Sequence, residues 1–198
     1  MSAESLPRQL PASVPQLKSH VGRRLARWIL RICGWKLVGD FPDVSRLVLI
    51  AAPHSSWWDG VWGMLVKVAL GIDISFMGKR ELFVGPLGWL VRTLGGIPVE
   101  RSSTHGVVEQ MSERFVRQPK LWLGIAPEGT RKPVSKWRTG FWHIAHAAKV
   151  PILPVYFHYP ERTIGIGPLF QPGADMAADL QHLRDFYAPW RGKNRSVG

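Results

Sequence analysis

The sequence is short of cysteine, of acidic residues and of long unbroken apolar runs. Cys33 is the only cysteine among 198 residues, so no intramolecular disulfide can form and nothing asks for an oxidising compartment. Against 26 Lys and Arg stand only 14 Asp and Glu, a formal net charge of +12. Such an excess calls for an anionic partner: nucleic acid, an anionic membrane surface or a phosphorylated substrate. The most apolar long stretch, "VWGMLVKVALGIDISFM", is interrupted by Lys67 and Asp73 and falls short of the run a membrane-spanning helix needs. Residues 1–20 hold prolines and polar groups where a secretory signal would have its apolar segment, so none is expected. A Gly-Lys-Ser/Thr nucleotide loop is also missing.

Tryptophan is plentiful, with ten copies in a chain that is 45% hydrophobic and 20% charged. That balance fits a globular protein. Tryptophan beside arginine and lysine suits a membrane interface, and it would equally suit base stacking.

Residues 1–40 read as a proline-bearing arm followed by an amphipathic helix. Over residues 20–35, "HVGRRLARWILRICGW", helical projection gathers Arg23, Arg24, Arg27 and Arg31 on one arc. Val21, Leu25, Trp28, Ile29, Ile32 and Trp35 fill the opposite one. Two readings fit this pattern: a helix lying in a membrane interface, or one capping the domain core with a solvated basic face.

Residues 41–198 alternate strands and helices. Strands are expected at 46–52, 74–78, 96–100, 121–126, 152–157 and 163–170, and helices at 58–70, 86–95, 104–117, 139–148 and 175–187. The alternation predicts a single-domain α/β protein with a mostly parallel central sheet flanked by helices, its functional loops at strand ends.

The segment "AAPHSSWWDG" follows the first of those strands. On a helix His54 and Asp59 would point about 140° apart, and on a strand to opposite faces. They meet only if the chain turns between them, with Ser55 or Ser56 capping the helix that follows. A carboxylate on one imidazole nitrogen fixes the tautomer and leaves the other nitrogen free to take a proton from a hydroxyl. That hydroxyl can belong to a substrate.

Three further segments join this pair. "APEGTR" follows the strand "LWLGI": Gly129 permits close backbone approach, Thr130 offers a hydroxyl and Arg131 a fork that fits phosphate. "GIPVER" ends a strand in Arg101, and "GKREL" supplies Lys79 after another. The closing "RGKNR" reads as a solvated basic tail.

The order and spacing of these segments resemble the glycerolipid acyltransferase family, which includes the 1-acylglycerol-3-phosphate acyltransferases. Its His-x4-Asp block matches His54 and Asp59. The later blocks match "GIPVER", "APEGTR" and, at residues 150–155, "VPILPV". The chain carries Pro53 where the family usually has asparagine and Ala126 where it usually has phenylalanine. The resemblance implies an acyltransferase domain over residues 41–198, with His54 as general base and Asp59 orienting it. It also implies acceptor binding by Lys79, Arg101, Glu128, Gly129, Thr130 and Arg131. Neither metal nor cofactor is implied, acyl-CoA or acyl carrier protein serving as co-substrate. The expected partners are a lipid acceptor, possessing a free hydroxyl, and an anionic membrane surface at whose cytoplasmic face the protein sits peripherally. Two rivals remain, a lipid-ester hydrolase using the same His and Asp and a basic nucleic-acid-binding module; with no recognisable binding motif, nucleic acid is not expected.

Overall fold

A computed structural model describes residues 10–17, 20–99 and 104–196 of the chain. Among these residues seven strands form one sheet in the order β1-β7-β6-β2-β5-β3-β4. They are β1 (Lys36–Val38), β2 (Arg46–Ala52), β3 (Ile74–Lys79), β4 (Gly96–Val99), β5 (Leu121–Ile125), β6 (Ile152–His158) and β7 (Thr163–Ile166). Every neighbouring pair is parallel except β6 with β7.

Among the described residues six helices cover the sheet: α1 (Arg23–Ile32), α2 (Trp57–Leu70), α3 (Gly85–Thr93), α4 (Thr104–Arg117), α5 (Gly140–Ala148) and α6 (Met176–Tyr187). Alternation along β2 decides which side each residue serves. Leu47 and Leu49 face a core shared with Ala26 and Leu30 of α1 and Ala69 and Leu70 of α2. Val48, Ile50 and Ala52 face the other core, with Met111 and Phe115 of α4, Phe141 and Ile144 of α5, and Leu183 and Tyr187 of α6. Because both faces are covered, β2 reads as a nearly continuous apolar run.

The expected α/β architecture is present, and apart from α1 and β7 the elements fall within two residues of their expected bounds; β7 ends at Ile166 and not at residue 170, and residue 100 of the expected strand 96–100 lies outside the described residues. Two short elements are additional: β1, and a 3-10 turn at Arg80–Phe83. Three residues of β1 give too little period to be read from sequence; pairing with β7 holds them extended. The sheet thus draws one edge from within residues 1–40.

α1 is shorter than its expected span, and its facing separates the two readings of its pattern: the apolar arc does not cap the domain core. It begins after Gly22, which has φ 81°, and ends at Ile32, so Trp35 lies beyond it, buried and 5.1 Å from the ring of Trp62. Its buried side chains are Ala26 and Leu30, which belong to neither projected arc. Arg27 Nε donates to Ala69 O at 2.8 Å, placing a cation at the C-terminal turn of α2. The apolar arc is left outside: Leu25 is 59% exposed, Trp28 59% and Ile32 62%.

Candidate functional site

Parallel register brings several loops to one edge of the sheet. Ile50 of β2 stands opposite Ile125 of β5, and Ala52 opposite Tyr156 of β6. The chain therefore leaves all three strands near the same level, the position at which α/β sheets bind ligands. His54 follows β2, residues 126–131 follow β5, and Tyr159 follows β6.

The turn after β2 contains a cis Ala52–Pro53 bond and runs into a capping box at the start of α2. Ser56 is the N-cap and its hydroxyl accepts from Trp58 N–H at 3.3 Å. Asp59, three positions on, accepts from the backbone N–H groups of Ser55 and Ser56, both at 2.8 Å. Folding the carboxylate back over the turn places Oδ2 3.4 Å from Nδ1 of His54. The sequence-predicted pair is thus assembled by helix capping itself.

A third partner comes from far along the chain: Tyr159 donates its hydroxyl to Asp59 Oδ1 at 2.5 Å. Burial pulls the Asp59 pKa upward, but hydrogen bonds from His54, Tyr159 and the Ser56 backbone outweigh it and hold the carboxyl below its ordinary range. Burial, then the hydrogen bond to Asp59, drives the Tyr159 hydroxyl well above its usual value. It therefore stays a donor. With Asp59 ionised and holding Nδ1–H, Nε2 of His54 is the nitrogen able to accept a proton.

Glu128 takes a different place from its neighbours in "APEGTR". Its side chain is 1% exposed; Oε1 accepts from the backbone N–H of His54 at 2.7 Å, and Oε2 pairs with the guanidinium of Arg195. It stands behind His54 and fixes that loop. Gly129, at φ 65°, has Arg138 so close that an added Cβ would lie 2.5 Å from its Cδ. The left-handed backbone there favours glycine. Thr130 accepts from Lys132 N–H at 3.2 Å, and exposed Arg131 borders the cavity. Of Lys79 only the backbone, at the end of β3, is described, and Arg101 lies outside the described residues.

The cavity in front of His54 has a volume of about 740 Å³. Its mouth is bounded by His54, Gly129, Thr130 and Arg131, and it runs along one face of α2 over Gly60, Gly63, Met64 and Lys67. Leu49, Ala51, Ile74, Phe76 and Ile125 supply the sheet side. The opening is polar and cationic, and the remainder is mostly apolar.

The closing basic segment corrects the expectation of a solvated tail. Arg195 Nη2 donates to His54 O at 3.3 Å and Lys132 O at 2.8 Å besides pairing with Glu128. Asn194 donates from its side chain to Ser55 O at 2.9 Å and from its backbone to Ser55 Oγ at 3.2 Å. Residues 191–196 thus form a strap over the His54 turn. Charge-run reasoning missed it because composition says nothing about which backbone carbonyls await a donor.

Tyr159 and Lys67 were also missed. No local spacing announces Tyr159, one hundred residues from Asp59. Lys67 was legible only as a break in an apolar run. The residue is 3% exposed, and its ammonium donates to Ile74 O at 2.5 Å and Leu94 O at 2.7 Å, with Asp73 at 3.6 Å. Burial lowers its pKa, partly offset by Asp73.

Fold and site together define an α/β protein that presents a histidine–carboxylate pair at the C-terminal edge of a parallel sheet, before a long hollow. Residues 39–158 match the profile of the Acyltransferase family, and the chain belongs to it. It is similar to human 1-acyl-sn-glycerol-3-phosphate acyltransferase beta, with 38% identity over 122 residues, 57% of this chain and 42% of that protein. The 1-acyl-sn-glycerol-3-phosphate acyltransferase of Saccharomyces cerevisiae is 26% identical over 152 residues, 67% of this chain and 49% of that one. The chain spans about half the length of these relatives. Among solved structures, the Thermotoga maritima 1-acyl-sn-glycerophosphate acyltransferase PlsC superposes with a TM-score of 0.60 at 18% identity, over 83% of this chain and 74% of that one. That likeness concerns the fold alone.

Proposed function

We propose that the protein transfers a fatty acyl group from a thioester of coenzyme A or acyl carrier protein to a hydroxyl of a lysophosphatidic-acid-like acceptor. The observation that carries this reading is the position of the His54–Asp59 pair at the mouth of a cavity with a cationic rim and an apolar length. The rim suits a phosphorylated headgroup and the apolar length an acyl chain.

In the reaction, Nε2 of His54 takes the acceptor's hydroxyl proton as the oxygen attacks the thioester carbonyl. A C–O bond forms and the carbonyl becomes a tetrahedral oxyanion. When that collapses the C–S bond breaks, and the leaving thiolate takes the proton from His54. General-base assistance contributes about 10²- to 10⁴-fold, and the ionised Asp59 stabilises the intervening imidazolium. Arg131 holds the acceptor phosphate, joined by Lys79 and Arg101.

We place this work at the cytoplasmic face of a membrane, held peripherally. No helix among the described residues is long and apolar enough to cross one. The exposed arc of α1 is one apolar surface. Val84, Leu87, Trp89 and Leu90 around α3 are another, beside Leu82 at the cavity wall. Such side chains reach into the headgroup region while the net charge of +12 meets anionic lipid.

The test supplies lysophospholipids, lyso-aminolipids and other lipid alcohols with each donor type and identifies products by mass. The expected result is a diacyl product that requires the acceptor and falls at least about 10²-fold in His54→Ala without loss of the folded state. Free fatty acid released equally with and without acceptor would mean a hydrolase, and full transfer by His54→Ala would end the general-base assignment.

A further inference from the structure

Helix α2 is a wall between two hollows. The face bearing Gly60, Gly63, Met64 and Lys67 lines the cavity in front of His54. Roughly a third to a half turn around the helix, at about 100° per residue, Trp58, Trp62 and Leu65 line a second open bowl, also about 740 Å³, that lies against α1. No step of acyl transfer uses it.

Its chemistry is distinctive. The walls are almost wholly apolar, with Trp35 and Trp62 packed ring to ring at 5.1 Å, and two cations, Arg162 and Lys193, border them. Lys193 Nζ sits 5.2 Å above the ring of Trp58. Arg162 is anchored by Nη1, which donates to Cys33 O at 3.0 Å; Nη2 has no hydrogen bond among the described residues. The α1 side of the bowl is formed by Ile29 and Cys33, which continue directly from the exposed Leu25, Trp28 and Ile32. An apolar volume that opens beside an apolar surface and carries two cations matches a molecule with an alkyl chain and an anionic head. Inorganic anions would leave the walls wet, and a neutral lipid would leave both cations unmatched.

We propose that the bowl between α1 and α2 binds one chain of an anionic membrane phospholipid, with its phosphate on Arg162 and Lys193. The site is separate from the acyl-transfer cavity, and the inference does not rest on that reading. It has one link to it: the ring of Tyr159 lines the bowl while its hydroxyl donates to Asp59. A lipid in the bowl therefore packs against the side chain that steadies the carboxylate of the pair.

Cys33 provides the test, being the only cysteine in the chain and part of the bowl's wall. The rate of its alkylation by N-ethylmaleimide is measured on the full chain with dihexanoyl phosphatidylglycerol dissolved as monomers. The expected result is a saturable slowing, about fivefold when the lipid is at about four times its Kd. Dihexanoyl phosphatidylcholine, with the same chains and no net charge, should protect much less, and inorganic phosphate not at all. The double variant Arg162→Gln, Lys193→Gln should raise the half-protecting concentration at least about tenfold, and Leu65→Trp, which fills the bowl, should abolish protection. The lipid series on the unaltered protein decides the matter even if a variant fails to fold. Equal protection by the two lipids, protection by phosphate alone, or no protection by phosphatidylglycerol would overturn the proposal. So would a Cys33 already unreactive without lipid, since the bowl would then be filled by the protein itself.

Discussion

Asp59 accepts from two backbone N–H groups, a tyrosine hydroxyl and the His54 ring, so one buried carboxylate both starts a helix and orients an imidazole. Because these donors hold its pKa below the ordinary 3.8, they contribute stability that is fully present above that value and is lost as pH falls through the lower folded-state value. Tyr159→Phe deletes one donor. Urea denaturation at pH 7 should show a loss of about 1.5–3 kcal/mol, the worth of a hydrogen bond to a charged group. The gap between variant and parent should narrow once Asp59 is protonated in both; a gap that persisted unchanged into strong acid would mean that Tyr159 acts through packing alone. Arg131 belongs to the same scale. Exposed at the cavity rim, it should matter to a phosphorylated acceptor and little to an unphosphorylated one. Arg131→Ala is expected to raise KM for the former about 10- to 100-fold, with steady-state kinetics on both acceptors as the check. Glu128 stands apart from these. Gly129, Thr130 and Arg131 of "APEGTR" line the cavity, whereas the glutamate braces the His54 turn from behind, a division the linear motif conceals.

Helix α2 shows how a single element can serve several purposes. Its first turn assembles the His54–Asp59 pair, one flank lines the cavity and the other packs toward α1. Gly60 lies on the cavity flank, and a Cβ there would meet nothing within 4 Å. Helix propensity and open space lead to one forecast: Gly60→Ala should gain about 0.5–1 kcal/mol of stability while narrowing the cavity and lowering transfer of long acyl groups more than short ones. Thermal melts and a donor-length series would show it, and equal rates at all lengths would place the acyl chain elsewhere. Element boundaries were largely legible, since the apolar runs of β2, β5 and β6 and the Gly71 stop of α2 are local signals. For α1 the sequence left two facings open, and the structure excludes the one that caps the core with the apolar arc. The core takes the narrow seam of Ala26 and Leu30 instead, which packs with Ala69 and Leu70 of α2.

At the scale of the whole molecule, the proposed membrane binding draws on a net charge of +12 and on the outward apolar arc of α1. Sedimentation with vesicles should find binding to anionic lipid that falls at least about tenfold between about 0.05 and about 0.5 M salt. The paired change Leu25→Ser and Trp28→Ser should weaken the remaining affinity further, by up to about 1.5–3 kcal/mol for each side chain that reaches the lipid. Binding indifferent to both would remove α1 from the interface. The sequence by itself determined the alternating α/β order, the four ordered blocks and the turn that joins His54 to Asp59, because each of these is written within one or two helical turns of chain. Only the tertiary structure decided that Tyr159 completes the pair, that Arg195 and Asn194 strap its loop, and that Glu128 faces inward. Those contacts join residues between 74 and 141 positions apart, and hydrogen-bond partners at such separation are chosen by strand register and packing, which leave no period in the sequence.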